Sequence, residues 1–371
     1  MKKKIRAVGA AILVVIWVAL AGFAWFSPPK ESSDAERRLL AQLPEISLKA
    51  FFNDDKFTTK FEDYTLDQFP ARDWFRQLKS LTHYYAFQQK DNNGIYIEDG
   101  YAAKVDYPLN EEAVSHAMDR LNFVYDTYLK DSGSKVVMSV IPDKGYYLAE
   151  KNGYPAMDYE KLFKTVKDRM PWATHVRITD RLSIEDYYYT DTHWRQEELL
   201  SVAQRLSVAL GVTFPRSEWY TKTAIDTPFY GVYHGQAALP MDPDQMYIME
   251  SDLLSQCTVE TYDNMGRRVK TAVYDMEKLS GKDPYDVFLS GPQSIVKITN
   301  PNAYSKKELV IFRDSFGSSI APLLVQDYQT VTLVDIRYID SRTIGNLIKF
   351  NGQDVLMLYS TLVLNSGTTL K

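Results

Sequence analysis

Four stretches of this chain are apolar with almost no interruption: "KVVMSVIP" (135–142), "LVIF" (309–312), "VTLVDI" (331–336) and "DVLMLYS" (354–360). A strand that is apolar on both faces has to be covered on both, and that coverage is normal in a parallel sheet with helices above and below. Segments with helical spacing alternate with these runs. "LNEEAVSHAMDRLNFVYDTYLKDSG" (109–133) has Asn110 as a cap, acidic residues in its first turn and Gly133 at its end. "YEKLFKTVKDRM" (159–170), "WRQEELLSVAQRLSVALG" (194–211), the residues after Ser318 and "IGNLIKF" (344–350) read as further helices, and "HVRITD" (175–180) as a strand. The alternation predicts an α/β fold with a mostly parallel central sheet flanked by helices.

Upstream, "TLDQFPARDWFRQLKSLTHYYAFQQ" (65–89) has helical spacing from about Ala71, with Trp74, Leu78 and Leu81 or Tyr85 on one face. "NGIYIEDGY" (93–101) reads as a strand entering a hairpin. Residues 213 to about 300 differ from the rest. "FYGVYHGQ", "QCTVETYDNMGRRVKTAVYDM" and "SIVKITN" suggest turns and short strands, hence an insertion carrying β structure. The expected division is a flank and anchor (1–29), a linker (30–60), and one α/β domain (61–371) that contains the insertion.

The N-terminus carries Lys2, Lys3, Lys4 and Arg6 before an uncharged stretch, residues 7–26. Twenty such residues can cross a bilayer as a helix, with the basic flank kept in the cytoplasm. Ala19-Leu20-Ala21 resembles a signal-peptidase site, yet the apolar run continues through Phe23, Trp25 and Phe26. An uncleaved single-pass anchor in the cytoplasmic membrane is expected, with the bulk of the chain extracytoplasmic. Net charge is −5, which argues against nucleic acid as a partner. Cys257 is the only cysteine, so there is neither an intramolecular disulfide nor a thiolate metal site. No two of the five histidines are spaced i,i+4, and no metal or cofactor is expected. Aromatic residues reach 13%, with 26 tyrosines, which tilts slightly toward stacking on carbohydrate.

In "VIFRDSFGSS" (310–319) a serine stands where a buried strand turns toward a helix. Ser315 there is either a helix cap or a nucleophile presented beside free helix amides. A nucleophile needs a base and a group to orient that base. His83, His116 and His175 fall within predicted helices or at a strand edge, which suits structural roles. His193 lies in "YYYTDTHW" (187–194), two residues after Asp191. In an extended segment both side chains project to the same side. Asp191 can then hold Nδ1–H of His193 and leave Nε2 free as a base. The alternative is that Asp191 or Thr192 caps the following helix. Loops of this kind converge beyond the carboxyl ends of parallel strands.

"TDTHW" followed by "RDSFG" resembles the DHHW family and the related alginate O-acetylation proteins of the bacterial envelope. Weaker matches over about residues 60–365 include "FPARDWF", "IPDKGYYL", "FYGVYHG" and "FLSGP". The resemblance implies an SGNH-hydrolase-like catalytic domain in which Ser315 is the nucleophile, His193 the base and Asp191 its orienter. The order, with the Asp/His pair before the serine, implies a circular permutation of the usual SGNH arrangement. Thr192 stands where the family often has His, and Arg313 where many serine enzymes have Gly. Arg313 is thus either a residue pointing into the site or part of a structural ion pair. Oxyanion donors are expected from the turn through Gly317, with Ser290 and Gly291 of "LSGP", Tyr230 and His234 as further candidates. The implied activity is O-acetylation of an envelope or secreted polysaccharide, with the acyl group delivered by a membrane-bound O-acyltransferase. The competing readings are an esterase with the same triad and a non-enzymatic polysaccharide-binding or assembly protein.

Overall fold

The computed structural model describes residues 2–45, 56–262 and 266–371. The remainder of the expected 30–60 linker, and residues 263–265 of the expected insertion, lie outside the described residues. The chain forms two compact units, residues 1–92 with 235–240, and residues 93–234 with 241–371.

The first unit begins with helix α1 (Lys2–Phe26), whose stretch Arg6–Ala24 is long and apolar enough to cross a membrane. Ser27 and two prolines end it. Helices α2 (Phe57–Asp67) and α3 (Arg72–Leu81) follow, the latter after Ala71 in a left-handed conformation, φ 51°. Helix α3 forms as its spacing suggests, but its polar side is the one that is held. Arg72 and Arg76 reach Glu36 at 2.5 and 3.4 Å, Arg76 also donates to the Gly235 carbonyl at 2.9 Å, and Ser80 meets Asn92 at 2.6 Å. Trp74, Leu78, Leu81 and Tyr85 share the opposite, exposed face.

The second unit opens with a hairpin, β1 (Ile95–Glu98) and β2 (Tyr101–Lys104), and helix α4 (Glu111–Val124). Asn110 caps α4 as expected, accepting from the Ala113 amide at 3.0 Å. Then come β3 (Val136–Ile141), α5 (Lys144–Leu148), α6 (Tyr159–Arg169), β4 (Thr174–His175) and α7 (Leu200–Leu210). The 213–300 region contributes β5 (Thr221–Ala224), α8 (Val232–Ala237), β6 (Tyr247–Glu250), α9 (Asp252–Gln256), β7 (Thr258–Tyr262), β8 (Arg268–Thr271) and β9 (Ile295–Thr299). The chain closes with β10 (Lys307–Arg313), α10 (Gly317–Ile320), β11 (Tyr328–Val334), β12 (Asp354–Ser360) and α11 (Thr361–Asn365).

Eight strands form one sheet in the order β8-β7-β9-β11-β10-β12-β3-β4. The neighbours from β11 to β4 are parallel, whereas β7, β8 and β9 extend the sheet antiparallel. Successive side chains of a strand point to opposite faces. Leu309 and Ile311 therefore join Val137, Leu356, Leu206 and Trp194 in one core. Val310 and Phe312 join Met138, Met357, Leu121 and Leu162 in the other. Each fully buried Leu, Ile or Phe contributes about 1.5–3 kcal/mol, so two cores explain why the strands carry no polar face.

Several expected elements are shorter. The 175–180 strand ends at His175, because Arg177 turns out to Glu160 and Thr179–Arg181 forms a 3₁₀ turn. Helix α7 starts only at Leu200, since Trp194 pairs with Tyr187 and residues 196–198 make a 3₁₀ turn. After Ser318 the helix stays at four residues, followed by a 3₁₀ turn containing Pro322, which has no amide to donate. The 344–350 helix is replaced by a 3₁₀ turn, Ser341–Asn346. Gly345 lies there so close to the Tyr128 ring that a Cβ would come within 2.7 Å.

Candidate active site

Ser315 follows β10, a central strand of the sheet, at its carboxyl end. Asp314 shapes the turn. Its Oδ1 accepts from the Phe316 amide at 3.1 Å and its Oδ2 from the Ser360 amide at 2.7 Å, which ties the turn to the end of β12. Gly317 starts α10 against Arg313, where an added Cβ would lie 2.6 Å from the Arg313 Cβ. The residue before α10 is Phe316, with no side-chain cap, so Ser315 does not serve as a cap.

The Asp191–His193 pair sits on a tight loop closed by the Tyr187–Trp194 bridge and by the Tyr188 amide donating to the His193 carbonyl at 3.1 Å. The Tyr187 hydroxyl donates to the Pro142 carbonyl at 2.5 Å. The Trp194 indole N–H reaches the Phe316 carbonyl at 3.1 Å and Ser319 Oγ at 2.9 Å, joining this loop to the serine turn. Both segments are thereby held to one another across 122 residues of sequence.

His193 Nδ1 donates to Asp191 Oδ1 at 2.5 Å, and Ser315 Oγ donates to His193 Nε2 at 2.7 Å. An ionised carboxylate only accepts, so Asp191 leaves the Nε2 lone pair facing the serine. Asp191 is fully buried, and it also accepts from the His193 amide at 3.0 Å and from the Val232 amide at 2.8 Å. The His193 ring stacks on Tyr285 at 3.8 Å with planes 5° apart. The Tyr285 hydroxyl donates to Ser319 at 2.8 Å, and burial drives this phenol well above its usual range. Tyr285 was not legible as a site residue, because one tyrosine among 26 carries no motif.

The remaining candidates fall differently. The Gly317 amide donates to the Asp314 carbonyl at 3.0 Å, and the Phe316 amide to the Asp314 side chain. Among the described residues no acceptor meets the Ser315 amide, which leaves it as the available donor of the turn. Arg313 is not a residue facing substrate. It is fully buried, 3.7 Å from Asp335, and burial pushes its guanidinium down. Ser290 donates to Asp275 at 2.6 Å and bonds Thr271, while Gly291 lies against Asp286, where a Cβ would approach within 2.3 Å. Among the described residues no hydrogen bond or ring contact joins Ser290 or Gly291 to Ser315 or His193.

Tyr230 is exposed, with its ring 4.8 Å from that of His234, and burial lowers the His234 pKa. It is the backbone of this segment that reaches the pair. Gly231 donates to Thr190 Oγ1 at 2.8 Å, and a Cβ on Gly231 would lie 2.3 Å from that of Asp191.

No family model matches the chain, and no curated protein matches it. Solved structures do. A DHHW family protein from Eubacterium siraeum superposes with a TM-score of 0.61 at 21% identity, covering 75% of this chain and 94% of that one. Bacillus cereus PatB1 superposes with a TM-score of 0.57 at 16% identity, covering 73% and 95%. These likenesses establish a shared fold.

Proposed function

We propose that this chain is a membrane-anchored, extracytoplasmic serine O-acyltransferase that moves acetyl groups onto hydroxyls of an envelope or secreted polysaccharide. The observation that carries this reading is the hydrogen-bonded series Asp191–His193–Ser315, with 2.5 and 2.7 Å links. In the first half-reaction Ser315 Oγ attacks the acyl carbonyl and its proton passes to His193 Nε2. The oxyanion accepts from the Ser315 amide. Collapse releases the donor's leaving group, which takes the proton from His193, and leaves an acetyl ester on Ser315. In the second, His193 takes the proton of a sugar hydroxyl as that oxygen attacks the ester. The acetylated sugar departs and Ser315 regains its proton.

Asp191 keeps the imidazole in the required tautomer throughout. Helix α1 supplies the anchor through residues 7–26, and a membrane-bound O-acyltransferase is the natural source of acyl groups outside the cytoplasm. DHHW-type motifs at Asp191, His193 and Ser315, on a fold shared with a DHHW family protein, support the assignment. The test is turnover of an activated acetyl ester by the full chain in detergent, with and without oligosaccharide. Acetylated sugar should form at the expense of free acetate. Acetate release that no glycan alters would make the protein an esterase, and no turnover of any ester would favour the binding protein.

A further inference from the structure

The tip of the loop that carries Asp191 and His193 is irregular backbone, with no sheet ladder to hold its polar groups. The Ala102 amide donates to the Tyr189 carbonyl at 2.8 Å and the Tyr233 and His234 amides to the Thr190 carbonyl at 3.0 and 3.1 Å, and two buried charged side chains hold the groups between. Lys144 Nζ donates to the Tyr188 carbonyl at 2.9 Å and the Tyr189 carbonyl at 3.2 Å. Asp244 Oδ1 accepts from the Tyr189 amide at 2.6 Å, and its Oδ2 accepts from the Thr190 amide at 2.8 Å and the Thr190 hydroxyl at 2.5 Å. Lys144 is 2% exposed and Asp244 5%.

Lys144 is itself held in place. It opens α5, where Asp143 accepts from the Gly145 amide at 2.9 Å and is fixed by Tyr159 and Thr361 at 2.8 and 2.7 Å. The Tyr233 ring lies 5.1 Å from the ammonium. A buried ammonium is costly unless compensated. Among the described residues no carboxylate lies within ion-pair distance of Lys144. The charges that act on it are those of Asp191, Asp244 and Asp143, in that order. Burial drives Lys144 down to about 7 while these three draw it back up, and burial likewise raises Asp244.

We propose that Lys144 and Asp244 are positioning residues, a two-sided clamp that sets the loop bearing Asp191 and His193. The ammonium takes the carbonyls of Tyr188 and Tyr189 and the carboxylate the amides of Tyr189 and Thr190, so the two peptide planes between residues 188 and 190 are gripped from both sides. This rests on the proposed role of Ser315 only in that one of its readouts is the reactivity of that hydroxyl.

The test is sulfonylation of Ser315 in the full-length protein by phenylmethylsulfonyl fluoride, followed by intact mass from pH 5 to 9. The serine oxygen bonds to sulfur, fluoride leaves, and the hydroxyl proton passes to His193. Lys144→Met should label roughly a hundredfold more slowly, the scale expected for a misplaced base. Lys144→Arg, which keeps a donor for both carbonyls, should recover part of that rate. Asp244→Asn turns an amide donor toward the loop amides and should slow labelling as well. Hydrogen exchange of the 188–193 amides should accelerate in both variants, a readout independent of any nucleophile. Wild-type labelling rates and unchanged exchange in both variants would overturn the clamp. Slow labelling of Lys144→Met with unchanged exchange of the 188–193 amides would overturn its role in holding the loop. A wild-type Ser315 that is not labelled defeats the nucleophile, and the exchange measurement then decides the clamp alone.

Discussion

In the proposed reaction His193 and Asp191 each use part of their hydrogen-bonding capacity, while the rest is committed to structure. The Asp191 carboxylate is the clearest case, since one oxygen serves His193 and the other the Val232 amide. Ser315→Ala should abolish the acetyl-sized mass increase on the protein while leaving the fold intact, because the hydroxyl's partner is His193 rather than a helix amide. His193→Ala removes the base, and Asp191→Asn presents the wrong tautomer. Losses on the order of a thousandfold or more are expected for each. The effects should not add: once Ser315 is gone, removing His193 should cost little more. Near-normal turnover by Ser315→Ala, or an acetyl group mapped to another residue, would sink the assignment.

At the scale of elements, the buried parallel strands were legible because their apolar pattern has only one stable setting, between two cores. The short elements were not. Residues 175–180, 194–199 and 344–350 all have acceptable helix or strand patterns, and in each a tertiary contact overrides them: Arg177 with Glu160, Trp194 with Tyr187, and Gly345 against Tyr128. Helix α3 shows the opposite relation, a helix whose side selection is decided by ion pairs. The carboxylate at the end of α2 is part of that set. Asp67 takes two hydrogen bonds from Arg38 at 2.5 and 2.8 Å, which hold its pKa down to about 2 from 3.8. A depressed carboxylate pKa contributes stability that is present above the unfolded value of about 3.8 and lost as pH falls through the folded value of about 2. Asp67→Asn should therefore weaken amide protection across α2 at pH 5. The difference from wild type should fade between pH 4 and 2. A difference that persists unchanged at pH 2 would show that Asp67 acts by packing alone.

For the whole molecule, the N-terminal apolar stretch is the feature read most directly, since a helix long and apolar enough to span a membrane needs no tertiary partner to be recognised. After cell fractionation the full-length protein should stay with membranes until detergent is added, and a protease outside the cytoplasm should reach the large unit. A soluble product beginning at Gly22 would mean that the Ala19-Leu20-Ala21 site is cut. The division into units was less legible. Residues 235–240 group with the N-terminal unit although they lie within the 213–300 region, and β7, β8 and β9 of that region complete the main sheet.

What the sequence by itself determined is therefore local or periodic: the N-terminal apolar stretch, the α/β alternation, the Asn110 cap, a serine at a strand-to-helix turn and an Asp/His pair two residues apart. These depend on spacing and on side-chain chemistry, which are written in the order of residues. Only the tertiary structure decided which amides remain free near Ser315, that Arg313 is buried on Asp335, and that Tyr285 lies flat on His193. It also brought Lys144 and Asp244, a hundred residues apart in sequence by number, to the two sides of one loop. Such choices turn on which buried polar group finds a partner. That depends on distances across the folded chain, and no local pattern encodes them.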